Sequence, residues 1–148
     1  MSEDRWFTAT ALLRLSTRLL DDIQAEVIGA GFDDVTPLHG FAFARIAQGD
    51  ATTGELADHL GVSKQAAAQL TERLVGAGYV ERRPHPNDHR ARLLKLTERG
   101  HACTVTARRA AEQAVDRWRK EIPARDVEAF ESALRTLAAP ITSLRPPH

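Results

Sequence analysis

The segment that most restricts the fold lies near the middle of the chain, where a glycine separates two short helical patterns. It starts at Thr52 and has the sequence TTGELADHLGVSKQAAAQLTERL. Two helices that cross at about a right angle need a small residue where their backbones approach, a glycine in the turn and apolar residues between them. The apolar positions are Leu56, Leu60, Val62, Ala67, Leu70 and Leu74. With Ala57 as the small residue and Gly61 as the turn glycine, the segment predicts a helix-turn-helix.

Polar residues are expected on the outer side of the second helix of this pair. A helical repeat of about 3.6 residues places Ala67, Leu70 and Leu74 together on the inner side. Glutamine pairs with adenine through two hydrogen bonds in the major groove, lysine contacts phosphate or guanine, and a capped helix N-terminus approaches phosphate. Glu72 lies too far along the helix to enter the groove without repulsion. We therefore predict a set of residues that contact the major groove or the phosphates beside it, called the major-groove set below: Ser63, Lys64, Gln65, Gln69 and Arg73.

The helical hairpin alone could be a DNA-binding helix-turn-helix or a hairpin inside an ordinary helical core, because similar hairpins occur in both. The residues that follow it favour DNA binding. Residues 79–83 and 92–96 predict two short antiparallel strands, and residues 84–88 predict the turn between them because they contain two prolines. Such a ribbon is a wing whose basic residues reach the adjacent minor groove of DNA. The candidates for this contact are His89, Arg90 and Arg92.

Helical patterns occupy most of the remaining chain. We predict helices at about residues 4–29, 36–48, 53–60, 63–77 and 97–121, and a sixth after Pro123. The first carries an apolar stripe of Trp6, Ala9, Leu13, Leu20, Ile23 and Val27. The last carries Val127, Phe130, Leu134, Leu137 and Ile141 at helical spacing. The predicted fold is mainly α-helical with a small two-stranded β-wing.

The net charge of zero hides an uneven distribution along the chain. Residues 1–61 have 4 basic and 10 acidic side chains, residues 62–100 have 8 basic and 4 acidic, and residues 101–148 have 8 basic and 6 acidic. Positive charge is thus concentrated in the segment that holds the second helix of the hairpin and the wing. This pattern is typical of a surface that faces a polyanion while the rest of the protein stays soluble.

The run from residue 55 to residue 100 resembles the winged helix-turn-helix core of MarR-type bacterial transcription regulators, and the flanking helices fit that family along almost the whole chain. Asp88, His89 and Arg90 match its Asp-x-Arg wing motif, and residues 96–100 match its Leu-Thr-x-x-Gly motif. The resemblance implies that Arg90 contacts the minor groove and that the Asp88 carboxylate orients the wing. Relatives often have a basic residue where His89 stands, so this position departs from the family pattern.

The resemblance also implies a homodimer. It would form one domain over residues 1–148, with dimerisation helices at 4–30 and 101–142 and a DNA-binding lobe at 36–100. The first helix and the stripe that starts at Val127 independently favour a dimer, because they carry more apolar surface than one small lobe covers, although packing within one chain is an open alternative. A symmetric dimer predicts a pseudo-palindromic operator. We expect repression by occlusion of a promoter; activation is the open alternative, because the sign of regulation depends on where the operator lies.

Members of this family typically bind a small apolar or phenolic effector, and the second predicted helix fits such a role. Gly40 and Ala42 stand where relatives usually have larger residues, and this predicts a cavity. The expected lining residues are Trp6, His39, Phe41 and Phe43. The alternative is that larger neighbours fill the space.

Other candidate sites have less support. His85, Asp88 and His89 have the spacing of metal ligands but lie in a turn next to prolines, so we expect no metal. The sequence has no nucleophile elbow, phosphate-binding glycine loop or dinucleotide fingerprint, and we expect neither an enzyme nor a cofactor. Cys103 is interpreted as a small packed residue, with an oxidant sensor as the open alternative.

The sequence also predicts where the protein acts. A single cysteine excludes an internal disulfide, and no apolar stretch approaches the ~18 residues of a membrane span. Glu3 and Asp4 interrupt the N-terminus where a signal peptide would be apolar. We expect a cytoplasmic DNA-binding repressor. The alternative is a winged-helix module that binds another protein through its basic wing, without specific DNA binding.

Overall fold

The computed structural model describes residues 2–145, which form six helices and two strands. The elements are α1 (Ser2–Gly29), α2 (Pro37–Ala47), α3 (Thr53–Leu60), α4 (Lys64–Gly76), β1 (Val80–Pro84), β2 (Arg92–Leu96), α5 (Glu98–Glu121) and α6 (Ala124–Ala138). This order confirms the predicted mainly α-helical fold with a small β-wing. Within the described residues, no helix combines the length and apolarity that crossing a bilayer requires.

Helices α3 and α4 form the helix-turn-helix, and a side-chain cap fixes the start of each. The hydroxyl of Thr52 accepts a hydrogen bond from the Glu55 N–H at 3.1 Å, and that of Ser63 accepts one from the Ala66 N–H at 3.0 Å. These bonds satisfy amides that have no partner within the helix. Gly61 ends α3 in the left-handed region at φ +67°, which a residue with a side chain rarely adopts. The turn between the helices therefore depends on this glycine.

The wing is an antiparallel pair in which Val80 lies opposite Leu96 and Pro84 lies opposite Arg92. The prediction placed the first strand at residues 79–83, one residue earlier than the observed strand Val80–Pro84. Tyr79 lies outside the strand because its N–H bonds to the Leu74 carbonyl at 3.0 Å and so completes the end of α4. Pro84 lies inside the strand, where a proline is tolerated because it is the last residue of a ladder edge.

A third segment joins the sheet in a way that the sequence did not signal. Ala51, in the loop before α3, forms an isolated bridge with Leu94 of β2. The Leu94 N–H donates to the Ala51 carbonyl at 2.7 Å. Both residues are buried. The bridge fixes the base of the wing to the start of the helix-turn-helix.

One hydrophobic core holds these elements together. It extends from Val27 in α1 to Cys103 in α5. The largest completely buried apolar side chains are Phe43, Leu56, Leu60, Leu74, Tyr79 and Leu94. They come from α2, the helix-turn-helix, β2 and the residue before β1, and the same core continues into α1 and α5 through Val27 and Cys103.

The two ends of the chain leave large apolar side chains exposed. Helix α1 packs along α5 through its second half, whereas its first half and all of α6 contain no buried residue. The exposed set includes Trp6, Phe7, Leu13, Phe130, Leu134 and Leu137. The predicted extension of α6 to Ile141 was wrong: the helix ends at Ala138, two residues before Pro140, which cannot continue a helical hydrogen-bond pattern.

Candidate nucleic-acid interface

The outer face of α4 is polar and exposed, as the spacing predicts. All five residues of the predicted major-groove set, Ser63, Lys64, Gln65, Gln69 and Arg73, are exposed. On the opposite face Ala67, Leu70, Thr71 and Leu74 are buried. The Thr71 hydroxyl donates to the Ala67 carbonyl at 2.8 Å, which satisfies this buried group. Because one face of α4 is fixed in the core, the other is held at a defined orientation towards solvent.

Glu72 has a specific partner on the wing. Its carboxylate accepts a hydrogen bond from the Arg82 guanidinium of β1. The pair neutralises the one acidic side chain on the outer face of α4 and connects the helix to the first strand. The sequence indicated that Glu72 stays out of a groove, but it did not indicate this partner, because ten residues separate the two in the chain.

The tip of the wing is held by a side-chain turn. The Asp88 carboxylate accepts a hydrogen bond from the Arg90 N–H at 2.9 Å, and the Asp88 carbonyl accepts one from the Ala91 N–H at 3.2 Å. Asp88 therefore shapes the backbone at Arg90. His85 accepts a hydrogen bond from the Asn87 N–H through Nδ1 at 3.0 Å, so it also supports the turn.

The basic residues of the wing tip remain available to a ligand. His89, Arg90 and Arg92 are exposed. Within residues 2–145, neither Arg90 nor Arg92 forms an ion pair, whereas Arg83 on β1 pairs with Glu81 at 2.8 Å. The two unpaired arginines lie at the loop end of the β-hairpin, in the segment 62–100 where positive charge is concentrated.

A cluster that the sequence did not reveal joins α4, the wing and α5. The Arg99 guanidinium donates to the Ala77 carbonyl at 2.6 Å and lies 4.3 Å from the centre of the Tyr79 ring. The Tyr79 hydroxyl donates to the Asp34 carboxylate at 2.5 Å. This hydrogen bond lowers the pKa of Asp34, and burial together with Asp34 raises the pKa of Tyr79 to about 12. The cluster fixes the end of α4 to the loop before α2.

A cavity of about 420 Å³ lies between α2 and the helices α1 and α5. Phe41 and Phe43 line it, as predicted, together with Val27 and Cys103. The structure does not bring the other two predicted residues there. Trp6 is 73% exposed in the first half of α1, and the His39 side chain lies at the start of α2 instead.

His39 completes a capping box. Its Nδ1 accepts a hydrogen bond from the Thr36 N–H at 3.1 Å, and the Thr36 hydroxyl accepts one from the His39 N–H at 3.4 Å. This reciprocal pair satisfies free amides at the start of α2. The imidazole is buried with 6% of its surface exposed. A neutral ring is required, because a protonated Nδ1 could not accept the bond.

We expect the capping role of His39 to make stability sensitive to mild acid. Burial, and then the charge of Arg73, lowers the pKa of His39 below its usual 6.5. A lowered folded-state pKa gives stability that is present above the unfolded value and is lost as the pH falls below 6.5 towards the folded value. His39→Gln keeps an acceptor at a position where glutamine is favoured, so the free energy of unfolding should fall less between pH 7 and pH 5.

Chemical denaturation at several pH values measures this difference. His101→Gln, at an exposed position, is the matched control and should keep the wild-type pH dependence. His59, whose pKa burial also lowers, is present in all three proteins and leaves some residual dependence. If the free energy of unfolding falls equally with pH in wild type and in His39→Gln, the capping box does not control acid sensitivity.

Comparisons with known proteins match both the sequence and the architecture. A family model described as MarR family matches residues 33–91. The multiple antibiotic resistance protein MarR of Salmonella typhimurium strain LT2 is 33% identical over 90 residues, which are 60% of this chain and 62% of that protein. The chain thus spans less than two thirds of the length of this curated relative in the sequence alignment.

Solved structures extend the likeness to the flanking helices. RV1404 from Mycobacterium tuberculosis superimposes with a TM-score of 0.77 and 25% identity, over 93% of this chain and 94% of that chain. The transcriptional repressor CouR, solved bound to a 23-mer DNA duplex, superimposes with a TM-score of 0.70 and 25% identity, over 93% of this chain and 96% of that chain. The match therefore includes the winged helix-turn-helix and both terminal regions.

Proposed function

We propose that this chain is a member of the MarR family and acts as a homodimeric transcriptional repressor that binds double-stranded DNA sequence-specifically. The observation that carries the proposal is the outer face of α4: it is polar, exposed and oriented by an opposite face that is buried in the core. CouR, a structural relative, was solved with a DNA duplex. The exposed basic residues on α4 and at the wing tip support the same kind of partner for this chain.

In the proposed complex, α4 lies in the major groove. Gln65 and Gln69 project from its exposed face and would contact base edges, where glutamine favours adenine. Lys64 and Arg73 flank them and would contact phosphates, and the capped N-terminus at Ser63 would approach the backbone. The ion pair of Glu72 with Arg82 partly offsets the negative charge that would otherwise oppose this approach.

The wing would add a second contact in the adjacent minor groove. Arg90 is the proposed inserted residue, with Arg92 and His89 near the backbone. Asp88 would act by positioning, because it fixes the backbone at Arg90 through the 2.9 Å hydrogen bond. Arginine is favoured in a narrow minor groove because the negative potential is strongest there.

The proposed dimer would use the apolar surface that residues 2–145 leave exposed on the first half of α1 and on α6. A monomer in water would carry these large side chains unpaired, whereas a second copy would cover them. Twofold symmetry would then place two α4 helices on half-sites about one helical turn apart. The operator should accordingly be an inverted repeat.

The cavity is proposed to bind the effector, a small apolar or phenolic molecule. Its buried walls include Val27, Phe43 and Cys103, which offer apolar contact. It is large enough for a drug-sized ligand. Because Phe43 also packs against Tyr79 with ring centres 5.4 Å apart, a bound molecule would contact the base of the DNA-binding lobe. The proposed place of action is the cytoplasm, where a bacterial repressor meets its operator.

The proposal is tested by selection of bound sequences from a random duplex library at near-physiological salt. We expect an enriched inverted repeat with half-sites about one turn apart. The matched control is a protein with Gln65→Ala and Gln69→Ala, which keeps the buried face of α4 and should enrich no such motif. Failure of a folded, dimeric wild-type protein to enrich any motif would overturn specific DNA binding and favour a module that docks on protein. The selected operator also provides the assay for effectors.

A further inference from the structure

The chain turns back towards the helix-turn-helix after α6. The turn contains Pro140, and the Ile141 N–H bonds to the Ala138 carbonyl at 2.9 Å. Residues 139–145 then continue without helix or strand. We name this segment the strap. It connects the end of α6, a proposed dimerisation helix, with α3 of the DNA-binding lobe.

One hydrogen bond and one close approach place the end of the strap on the lobe. The Leu144 N–H donates to Nε2 of His59, on α3, at 3.2 Å. The Arg145 guanidinium lies over Gly61, so close that a β-carbon at this glycine would lie 2.5 Å from Arg145 Nη1. Gly61 is the residue that ends α3 before α4 begins. The strap therefore contacts the turn of the helix-turn-helix itself.

The strap also forms part of the cavity. Leu144 lines it together with Phe41 of α2 and Cys103 of α5. Half of the Leu144 surface is exposed, and the neighbouring lining residues Gln48 and Arg108 are exposed as well, whereas Cys103 is buried with 1% exposed. Leu144 thus lies at the mouth of the cavity and Cys103 at its inner wall.

We propose that residues 139–145 are a strap that covers part of the mouth of this cavity and contacts the helix-turn-helix at His59 of α3 and at Gly61 in the turn that follows. A molecule enters when Leu144 moves outward, and this movement breaks the contacts with the turn that precedes α4. Occupancy of the cavity is in this way coupled to the helix-turn-helix. The inference rests on the proposed function only for the statement that the molecule admitted is an effector.

The closure is tested by the accessibility of Cys103, the single cysteine of the chain, to a small neutral thiol reagent, methyl methanethiosulfonate. The rate at which the reagent labels Cys103, followed by mass spectrometry, reports how often the cavity opens, because local opening exposes a buried group. We expect Leu144→Ala to increase the rate by roughly five- to tenfold. Thr142→Ala, an exposed strap residue that does not line the cavity, should label at the wild-type rate.

The His59 contact gives a second, independent pair of variants. His59→Phe removes the acceptor for the Leu144 N–H and should also increase labelling, whereas His59→Gln keeps an oxygen acceptor and should restore slow labelling. Thermal unfolding checks that each variant keeps its fold, which is expected for Leu144→Ala because that side chain lies at the surface.

The proposal is overturned if Leu144→Ala and His59→Phe, with unchanged unfolding midpoints, label as slowly as wild type. The assay contains neither DNA nor effector, so this result would leave the proposed function intact. A failed operator selection would in turn leave the labelling result intact. The two proposals therefore fail separately.

Discussion

Gly100→Ala is expected to destabilise the protein by about 2–4 kcal/mol, a large part of the ~5–15 kcal/mol that a domain of this size has in total. Gly100 lies in the first turn of α5, against the segment between α4 and β1. A β-carbon at this position would lie 2.2 Å from the Tyr79 carbonyl oxygen and 3.1 Å from Leu96 Cδ2. The Tyr79 carbonyl cannot simply move away, because it accepts the Thr97 N–H at 3.0 Å. Alanine's higher helix propensity offsets only ~1 kcal/mol of this strain.

Urea denaturation of the two proteins measures the difference, with Gly76→Ala as the matched control. Gly76 is also helical, at the end of α4, but a β-carbon there would meet no atom within 4 Å. Its replacement should be neutral or stabilise by up to ~1 kcal/mol. If the Gly100 variant unfolds at the same urea concentration as the Gly76 variant, the close approach to Tyr79 does not constrain the fold.

Residues 96–100, the Leu-Thr-x-x-Gly motif that the sequence analysis matched to a family of DNA-binding regulators, have a structural role. In the Leu-Thr-x-x-Gly run, Leu96 is buried in the core and the Thr97 hydroxyl caps α5 by accepting the Gly100 N–H at 3.2 Å. The same hydroxyl donates to the Gly78 carbonyl at 2.6 Å. These residues fix the base of the wing, and the wing residues that face solvent are the candidates for DNA contact.

Local chemistry explains why so much of the fold could be predicted from the sequence. Thr52, Ser63 and Gly61 act through neighbours within a few residues, so their positions alone locate the ends of α3 and α4. The spacing of Ala67, Leu70 and Leu74 is sufficient to orient α4, because a buried stripe determines the opposite face. The exposed set on α4 was predicted for this reason.

The contacts that were missed join residues far apart in the chain. The bridge of Ala51 with Leu94 and the hydrogen bond of Tyr79 with Asp34 depend on tertiary packing, for which a single sequence gives no periodic signal. The prediction of the cavity lining was incomplete for the same reason. Phe41 and Phe43 were identified on one helix, but the walls contributed by Cys103 and Leu144 come from elements about sixty and one hundred residues further on.

Two substitutions should separate base recognition from electrostatic attraction in the proposed DNA complex. Gln65→Ala should reduce discrimination at one base position of each half-site by about 1–3 kcal/mol. Because a homodimer carries the substitution in both subunits, a symmetric operator would lose this discrimination in both half-sites. Arg90→Ala should weaken binding to all duplexes and make it less sensitive to salt, because each cation that contacts DNA releases counterions. Fluorescence anisotropy at several salt concentrations, with the selected operator and base-substituted versions of it, measures both effects.

Each substitution has a control within the same structure. Gln113→Ala removes an exposed glutamine from α5, away from α4, and should leave base preference unchanged. Arg83→Ala removes a wing arginine whose charge is already paired with Glu81 at 2.8 Å, so its effect on the salt dependence should be smaller than that of Arg90→Ala. If Gln65→Ala and Arg90→Ala bind the operator like wild type, then α4 and the wing tip do not face DNA. The winged-helix alternative, in which the exposed basic tip docks on another protein, would then be favoured.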